Sequence, residues 1–145
     1  MAHTRGVGSG DQAVILDTHA WIFYATGARL AKRGLQRIER ARRSGRLQIA
    51  AVSLWEVALL ARERKLRFVQ PAGEWFRDAL VQTEVSVAAL DVEIAIGAAR
   101  LVHLLRDPAD CQIAGTALCA GVPLGTRDAR LLENADALGL DVVEV

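Results

Sequence analysis

Four short segments, far apart in the chain, each end an apolar run with a carboxylate. They are Ile15-Leu16-Asp17-Thr18, Ser53-Leu54-Trp55-Glu56, Asp107-Pro108-Ala109-Asp110 and Gly125-Thr126-Arg127-Asp128. Where strands and helices alternate, the carboxyl ends of parallel strands and the starts of the following helices share one edge of the sheet, and ligands bind along it. Four acids gathered there repel one another unless a cation joins them. A hard divalent metal with oxygen ligands is the natural occupant.

Each acid also has a purely structural reading. Asp17 stands where a strand hands over to a helix, a favoured position for an N-cap. Ser53 and Glu56 have capping-box spacing. Asp107 with Pro108 suits an N-cap and first helical turn, and Asp110 then gains from the helix dipole. Thr126 is placed to cap the helix whose first turn holds Asp128. Taken jointly, three of the segments supply both a capper and an acid, which leaves the acid free for a crevice.

The elements that must position these residues follow from apolar patterning and punctuation. Residues 13–17, 47–50, 84–87, 122–125 and 141–145 read as short apolar strands. Helices are expected over 18–25, 30–44, 53–65, 71–81, 91–104 and 108–120, with a short one before the last strand. Short strands without polar alternation, each followed by a helix, argue for an α/β fold whose parallel sheet is covered on both faces. No repeat or linker divides the chain after residue 12, so 13–145 is expected to form one domain. Residues 1–12 are glycine-rich and polar and read as a flexible leader without the apolar stretch of a signal peptide.

Composition narrows the class further. The chain has 145 residues, 52% of them hydrophobic, enough for a core. No apolar run approaches the roughly 20 residues needed to span a bilayer. Cys111 and Cys119 fall eight positions apart on one expected helix, too far to bridge, and reduced thiols in a cytoplasmic protein are the simplest reading. The net charge of +1 hides an asymmetry: residues 29–67 hold twelve Lys/Arg against three acids, and the remainder six against fourteen. Sixteen of the eighteen basic residues are Arg, the side chain suited to bidentate phosphate contact. Arg37, Arg40 and Arg43 fit a solvated helix face equally well.

Four segments in register carry a resemblance. Leu16-Asp17-Thr18-His19-Ala20-Trp21, Ser53-Leu54-Trp55-Glu56-Val57-Ala58, Arg106-Asp107-Pro108-Ala109-Asp110 with Ile113-Ala114, and Pro123-Leu124-Gly125-Thr126-Arg127-Asp128 resemble the successive motifs of PIN-domain nucleases, above all the VapC-type toxins of bacterial toxin–antitoxin pairs. The resemblance implies a Rossmann-like, five-stranded parallel sheet and a metal-dependent endoribonuclease. It places the family's acidic residues on Asp17, Glu56, Asp110 and Asp128, with Thr126 as the hydroxyl beside the last acid. The cofactor is then Mg²⁺ or Mn²⁺, with Asp17 and Asp110 as direct ligands. Glu56 and Asp128 would bind through water, orient the nucleophile or complete a second site. RNA is the implied substrate, a cognate VapB-like antitoxin the inhibitor, and a homodimer the usual assembly. Leu105 and Cys111 depart from the family's frequent His and Arg at these positions.

Arg29, Lys32, Arg33 and Arg127 are the candidates for RNA phosphate contacts. Trp21, Trp55 and Trp75 are expected in core or interface, and His19 in a structural role. The apolar helices over 53–65 and 71–81 are candidates for the antitoxin groove. Three other readings stand beside this one. A phospho-acceptor receiver domain needs a lysine late in the chain, and the only lysines are Lys32 and Lys65. A catalytically silent PIN-like binding module would have little use for all four acids. An RNA-maturation nuclease would share the chemistry without the toxin role.

Overall fold

The structure, a computed structural model, describes residues 13–145. The leader expected over residues 1–12 lies outside them. Strands β1 (Val14–Leu16), β2 (Leu47–Ala50), β3 (Ser86–Ala88), β4 (Leu124–Thr126) and β5 (Val142–Glu144) form one sheet in the order β3-β2-β1-β4-β5. Every pairing is parallel. The first strand is central, and the order reverses between β1 and β4, the position at which a crevice opens beyond the strand ends.

Side chains along β1 alternate between two core layers, and all three are fully buried. Val14 and Leu16 join Leu47, Ile49 and Val145 beneath α1 (Thr18–Ala25), α2 (Lys32–Arg43) and α4 (Ala72–Thr83), through Trp21, Ile38 and Ala79. Ile15 joins Leu124 on the other face. There it meets α5 (Val92–Ala99), α6 (Val102–Leu105), α7 (Pro108–Ala120) and α8 (Ala129–Leu138) through Ala98, Leu105, Ile113 and Leu131. Trp21 is the largest buried side chain, and its indole N–H donates to the Thr83 hydroxyl at 3.0 Å. Among the described residues no helix is long and apolar enough to cross a membrane.

Several boundaries differ from the sequence reading, among them the starts of β3, at Ser86 rather than residue 84, and of β4, at Leu124 rather than residue 122. The helix expected over 91–104 is two helices, α5 and α6, separated at Arg100 and Leu101. The helix α3 (Ala51–Arg62) begins two residues before Ser53, because the chain passes from β2 straight into it with Ala50 at the N-cap. Ser53 is therefore inside the helix, and the capping box with Glu56 does not form. The helix α4 continues to Thr83 and stops at Glu84, whose backbone is left-handed.

The α2–β5 contact is close enough to constrain sequence. A Cβ on Gly34 would lie 2.4 Å from the Glu144 carbonyl oxygen and 2.7 Å from the Val145 Cα. Alanine is ordinarily better than glycine within a helix by about 0.5–1 kcal/mol. Here the sign reverses: Gly34→Ala is expected to destabilise by ~1–3 kcal/mol, as overpacking does, measured as a lower denaturant midpoint at unchanged m-value.

Candidate metal and nuclease site

Asp17 leaves β1 at the switch point and is almost wholly buried. One of its carboxylate oxygens accepts from the Ala20 N–H at 2.8 Å, capping α1. The other accepts from the Thr126 hydroxyl at the end of β4. Thr126 Oγ1 in turn accepts the Asp128 N–H at 3.0 Å. The hydroxyl expected beside the last acid thus ties the first acid to the last.

Glu56 projects from α3 and accepts a hydrogen bond from the Thr18 hydroxyl, which also meets Ser53 Oγ at 2.8 Å. Ser53 and Thr18 are both buried. Asp107 caps α7 through the N–H groups of Ala109 and Asp110, as the sequence suggests, which frees the Asp110 carboxylate. On α8 the expectation fails in its detail: Asp128 itself is the N-cap, accepting from the Arg130 N–H at 2.8 Å, and Thr126 lies in β4. Asp17 and Asp128 therefore act as helix caps and still reach the crevice, since capping occupies only one carboxylate oxygen of each.

All four expected acids line one cleft of about 330 Å³, and Asp107 makes a fifth. Burial first, then the Asp107, Asp128 and Glu56 carboxylates, push Asp110 up to about 7. Burial raises Asp17 despite its hydrogen bonds from Thr126 and Ala20. Burial, seconded by Asp107, likewise raises Glu56 against the pull of the Thr18 hydroxyl. The cleft penalises its own negative charge, which is the condition a bound cation relieves.

The donors are carboxylate and hydroxyl oxygens, with no cysteine in the lining and His19 as its one imidazole. That chemistry fits a hard divalent ion rather than zinc. Among the described residues no three acidic, His or Cys side chains already converge on one point. The carboxylates are spread around the wall, and the Arg130 guanidinium lies 3.4 Å from Asp110 and 3.5 Å from Asp128.

Arg130 is one residue the sequence reading missed. Thr18 is another, and its hydroxyl between Ser53 and Glu56 left no signal in spacing. His19, expected to be structural, is exposed on the cleft wall. Of the RNA candidates, Arg127 lines the cleft, its guanidinium 4.5 Å above the Phe23 ring. It is held by the Arg29 carbonyl at 2.8 Å and a main-chain oxygen of Val145 at 3.3 Å. Arg29 contributes that carbonyl, while Lys32 and Arg33 line a separate groove. Neither lysine lines the cleft, as a receiver domain would require. Leu105 and Cys111 are buried in the core. Trp21 and Trp75 pack together as expected, whereas Trp55 is exposed.

The raised carboxyls make stability fall as pH rises. An unfolded Asp110 ionises near 3.8, the folded one near 7, so between those values the native state holds a proton that the unfolded chain has released. In EDTA, thermal stability is expected to decline from about pH 4 to about pH 7, with Asp17 and Glu56 adding in the same direction. Asp110→Asn should flatten that slope and, at pH 8, melt about 2–4 °C higher, the shift that ~1 kcal/mol produces in a chain of this size. A slope unchanged in Asp110→Asn would refute the assignment.

Comparison with known proteins agrees with this architecture. A family model described as the PIN domain matches residues 14–137. The chain is 32% identical over 120 residues to Ribonuclease VapC22 of Mycobacterium tuberculosis, covering 81% of this chain and 88% of that one. Its fold is similar to DNA-bound VapBC from Salmonella typhimurium, with a TM-score of 0.66 and 21% identity over 91% of this chain and 97% of the other. It is also similar to VapBC-5 from Mycobacterium tuberculosis, with a TM-score of 0.62 and 20% identity over 92% and 99%. With acids from β1, α3, α7 and the β4–α8 turn gathered at one sheet edge and the family match running through all of them, the chain belongs to the PIN-domain family.

Proposed function

We propose that this protein is a divalent-metal-dependent endoribonuclease, the toxin of a toxin–antitoxin pair, acting in the cytoplasm. The observation that carries the reading is that Asp17, Glu56, Asp110 and Asp128, from four separate segments, line the walls of one cleft at the sheet's switch point. The 32% identity to a ribonuclease supports RNA as the substrate.

Asp17 and Asp110 would hold the ion directly, with Glu56 and Asp128 acting through water or at a second position; Mg²⁺ and Mn²⁺ both suit these donors. Such an ion lowers the pKa of a bound water and screens charge on the phosphoryl oxygens. The remaining work falls to the chain's own groups. Thr126 fixes the Asp17 carboxylate by hydrogen bonding one oxygen, and Thr18 fixes Glu56 in the same way. Glu56, raised by burial and partly open to the cleft, is suited to orient an attacking water or accept its proton. Arg130, two-thirds exposed on a flexible stem, pairs with Asp110 and Asp128. Its exposed guanidinium would also be within reach of a phosphate oxygen of a substrate held in the cleft. Arg127, held by the Arg29 carbonyl, a main-chain oxygen of Val145 and an aromatic face, offers a less mobile positive charge beside it.

A VapB-like antitoxin and a second copy of the chain are the partners proposed. An apolar groove of about 330 Å³ between α3 and α4, lined by Val57, Ala58, Ala61, Phe68 and Phe76, supports the first. Trp75 buttresses it by stacking on Phe68 at 4.2 Å.

Purified, antitoxin-free protein is expected to make discrete cuts in a panel of tRNA, rRNA and mRNA with Mg²⁺ or Mn²⁺ and none in EDTA. Asp17→Asn should abolish cutting without loss of fold, since the amide oxygen can still cap α1. Thr126→Val should lower the rate by roughly 10–100-fold, as loss of a group orienting a metal ligand does. Cutting that persists in EDTA or in Asp17→Asn would sink the reading.

A further inference from the structure

A second and larger concavity, of about 650 Å³, lies between α2 and β5. Lys32, Arg33, Arg37 and Arg40 line it, against one carboxylate, Glu144. Among the described residues none of these four cations forms an ion pair. Arg42, on the same helix, is engaged by both Glu39 and Glu84 at 2.8 and 2.9 Å. One face of α2 is thus neutralised internally and the other is left charged. Arg33, Arg37 and Arg40 follow i, i+4, i+7 spacing and share that face, where like charges oppose one another. They extend roughly 10 Å along the helix at 1.5 Å per residue.

The groove is separate from the acid cleft, and Arg127 with its contacts lies between the two. Gly34 brings the start of α2 against the Glu144 and Val145 backbone. A main-chain oxygen of Val145 accepts from Arg127, whose other arm reaches the carbonyl of Arg29, just ahead of α2. Arg127 itself lines the cleft. A polyanion with one phosphate beside Arg127 therefore meets Lys32 and Arg33 next, and Arg37 and Arg40 beyond them. The groove wall carries no aromatic side chain, so it offers charge for a backbone and no platform for reading bases.

We propose that this groove carries single-stranded RNA flanking the bond that is cut, its phosphates passing from Arg127 onto Lys32, Arg33, Arg37 and Arg40. The inference rests on the reading of the acid cleft as a ribonuclease site. It makes contacts along the groove sequence-tolerant and strongly salt-dependent.

The test is equilibrium binding of a fluorescent, unstructured RNA of about a dozen nucleotides, long enough to leave the cleft. It is run on full-length Asp17→Asn protein with Mg²⁺ over a range of salt. Adding Arg33→Glu, Arg37→Glu and Arg40→Glu together should weaken binding at least about tenfold. It should also make the slope of log K against log salt shallower by about 2, for three phosphate contacts at ~0.7 each. The corresponding triple Gln variant, which adds no negative charge and guards against misfolding, should show the same change in slope.

Charge reversal at Arg62, Arg67 and Arg77, exposed elsewhere, should leave the affinity within about twofold. Unchanged affinity and slope in both groove variants would overturn the proposal, as would an equal loss in the control. Loss of polyglutamate binding with RNA binding retained would also overturn it, assigning the groove to an acidic protein segment. If the groove variants behave as expected but wild-type protein cuts no RNA in the panel, the groove stands and the nuclease reading fails. If the wild type cuts and the variants bind normally, only the groove assignment fails.

Discussion

Five carboxylates share one cleft at the end of the sheet, close enough that burial and mutual repulsion bring Asp110 to about 7. Coulomb repulsion would scatter such a group, and the fold opposes it with short-range donors. Ala20 N–H and the Thr126 hydroxyl hold Asp17, the Thr18 hydroxyl holds Glu56, and the Arg130 N–H holds Asp128. Three of the five acids, Asp17, Asp107 and Asp128, are helix N-caps, so partial positive charge at helix starts offsets part of the repulsion. The stabilisation of three helices and the gathering of negative charge are accordingly one arrangement.

This dual use explains which features were legible in sequence. Apolar runs marked all five strands; β1 and β4 are buried throughout and have little room for polar residues, whereas the edge strands β3 and β5 are partly exposed and carry Ser86 and Glu144. The four acids were legible as a set because each stands at or near the start of a helix, Asp17 and Asp128 just after strands. Their local roles were less so. Choosing between cap and ligand assumes one duty per carboxylate, whereas Asp17 serves a cap with one oxygen and Thr126 with the other. Ser53 looked like a cap because its spacing to Glu56 is right, but β2 runs into α3 without a loop and carries it inside the helix. Arg130 and Thr18 act through contacts between segments far apart in the chain, which local spacing does not encode.

Charge is also divided in space. The acids lie at the strand ends, and the cations of α2 flank the edge strand β5. Arg127 stands where the two territories meet. Its guanidinium is held by the Arg29 carbonyl, a main-chain oxygen of Val145 and the Phe23 ring. These contacts fix its charge in place beside the cleft. The close approach at Gly34 sets how near α2 can come to this boundary, so a packing constraint also sets the separation of the two fields.

The strand order has a consequence for the chain as it is made. Strand β1 is the first strand of the domain to be synthesised, yet its partner β4 pairs Ile15 with Leu124, more than a hundred residues later. Until then one edge of β1 is bare and the Asp17 carboxylate lacks Thr126. A nascent chain can form the β1–β2–β3 half of the sheet, but it cannot close the cleft or bring Asp128 to face Asp17. Completion of the acidic site is thus delayed until almost the whole domain has been synthesised, a timing imposed by topology alone.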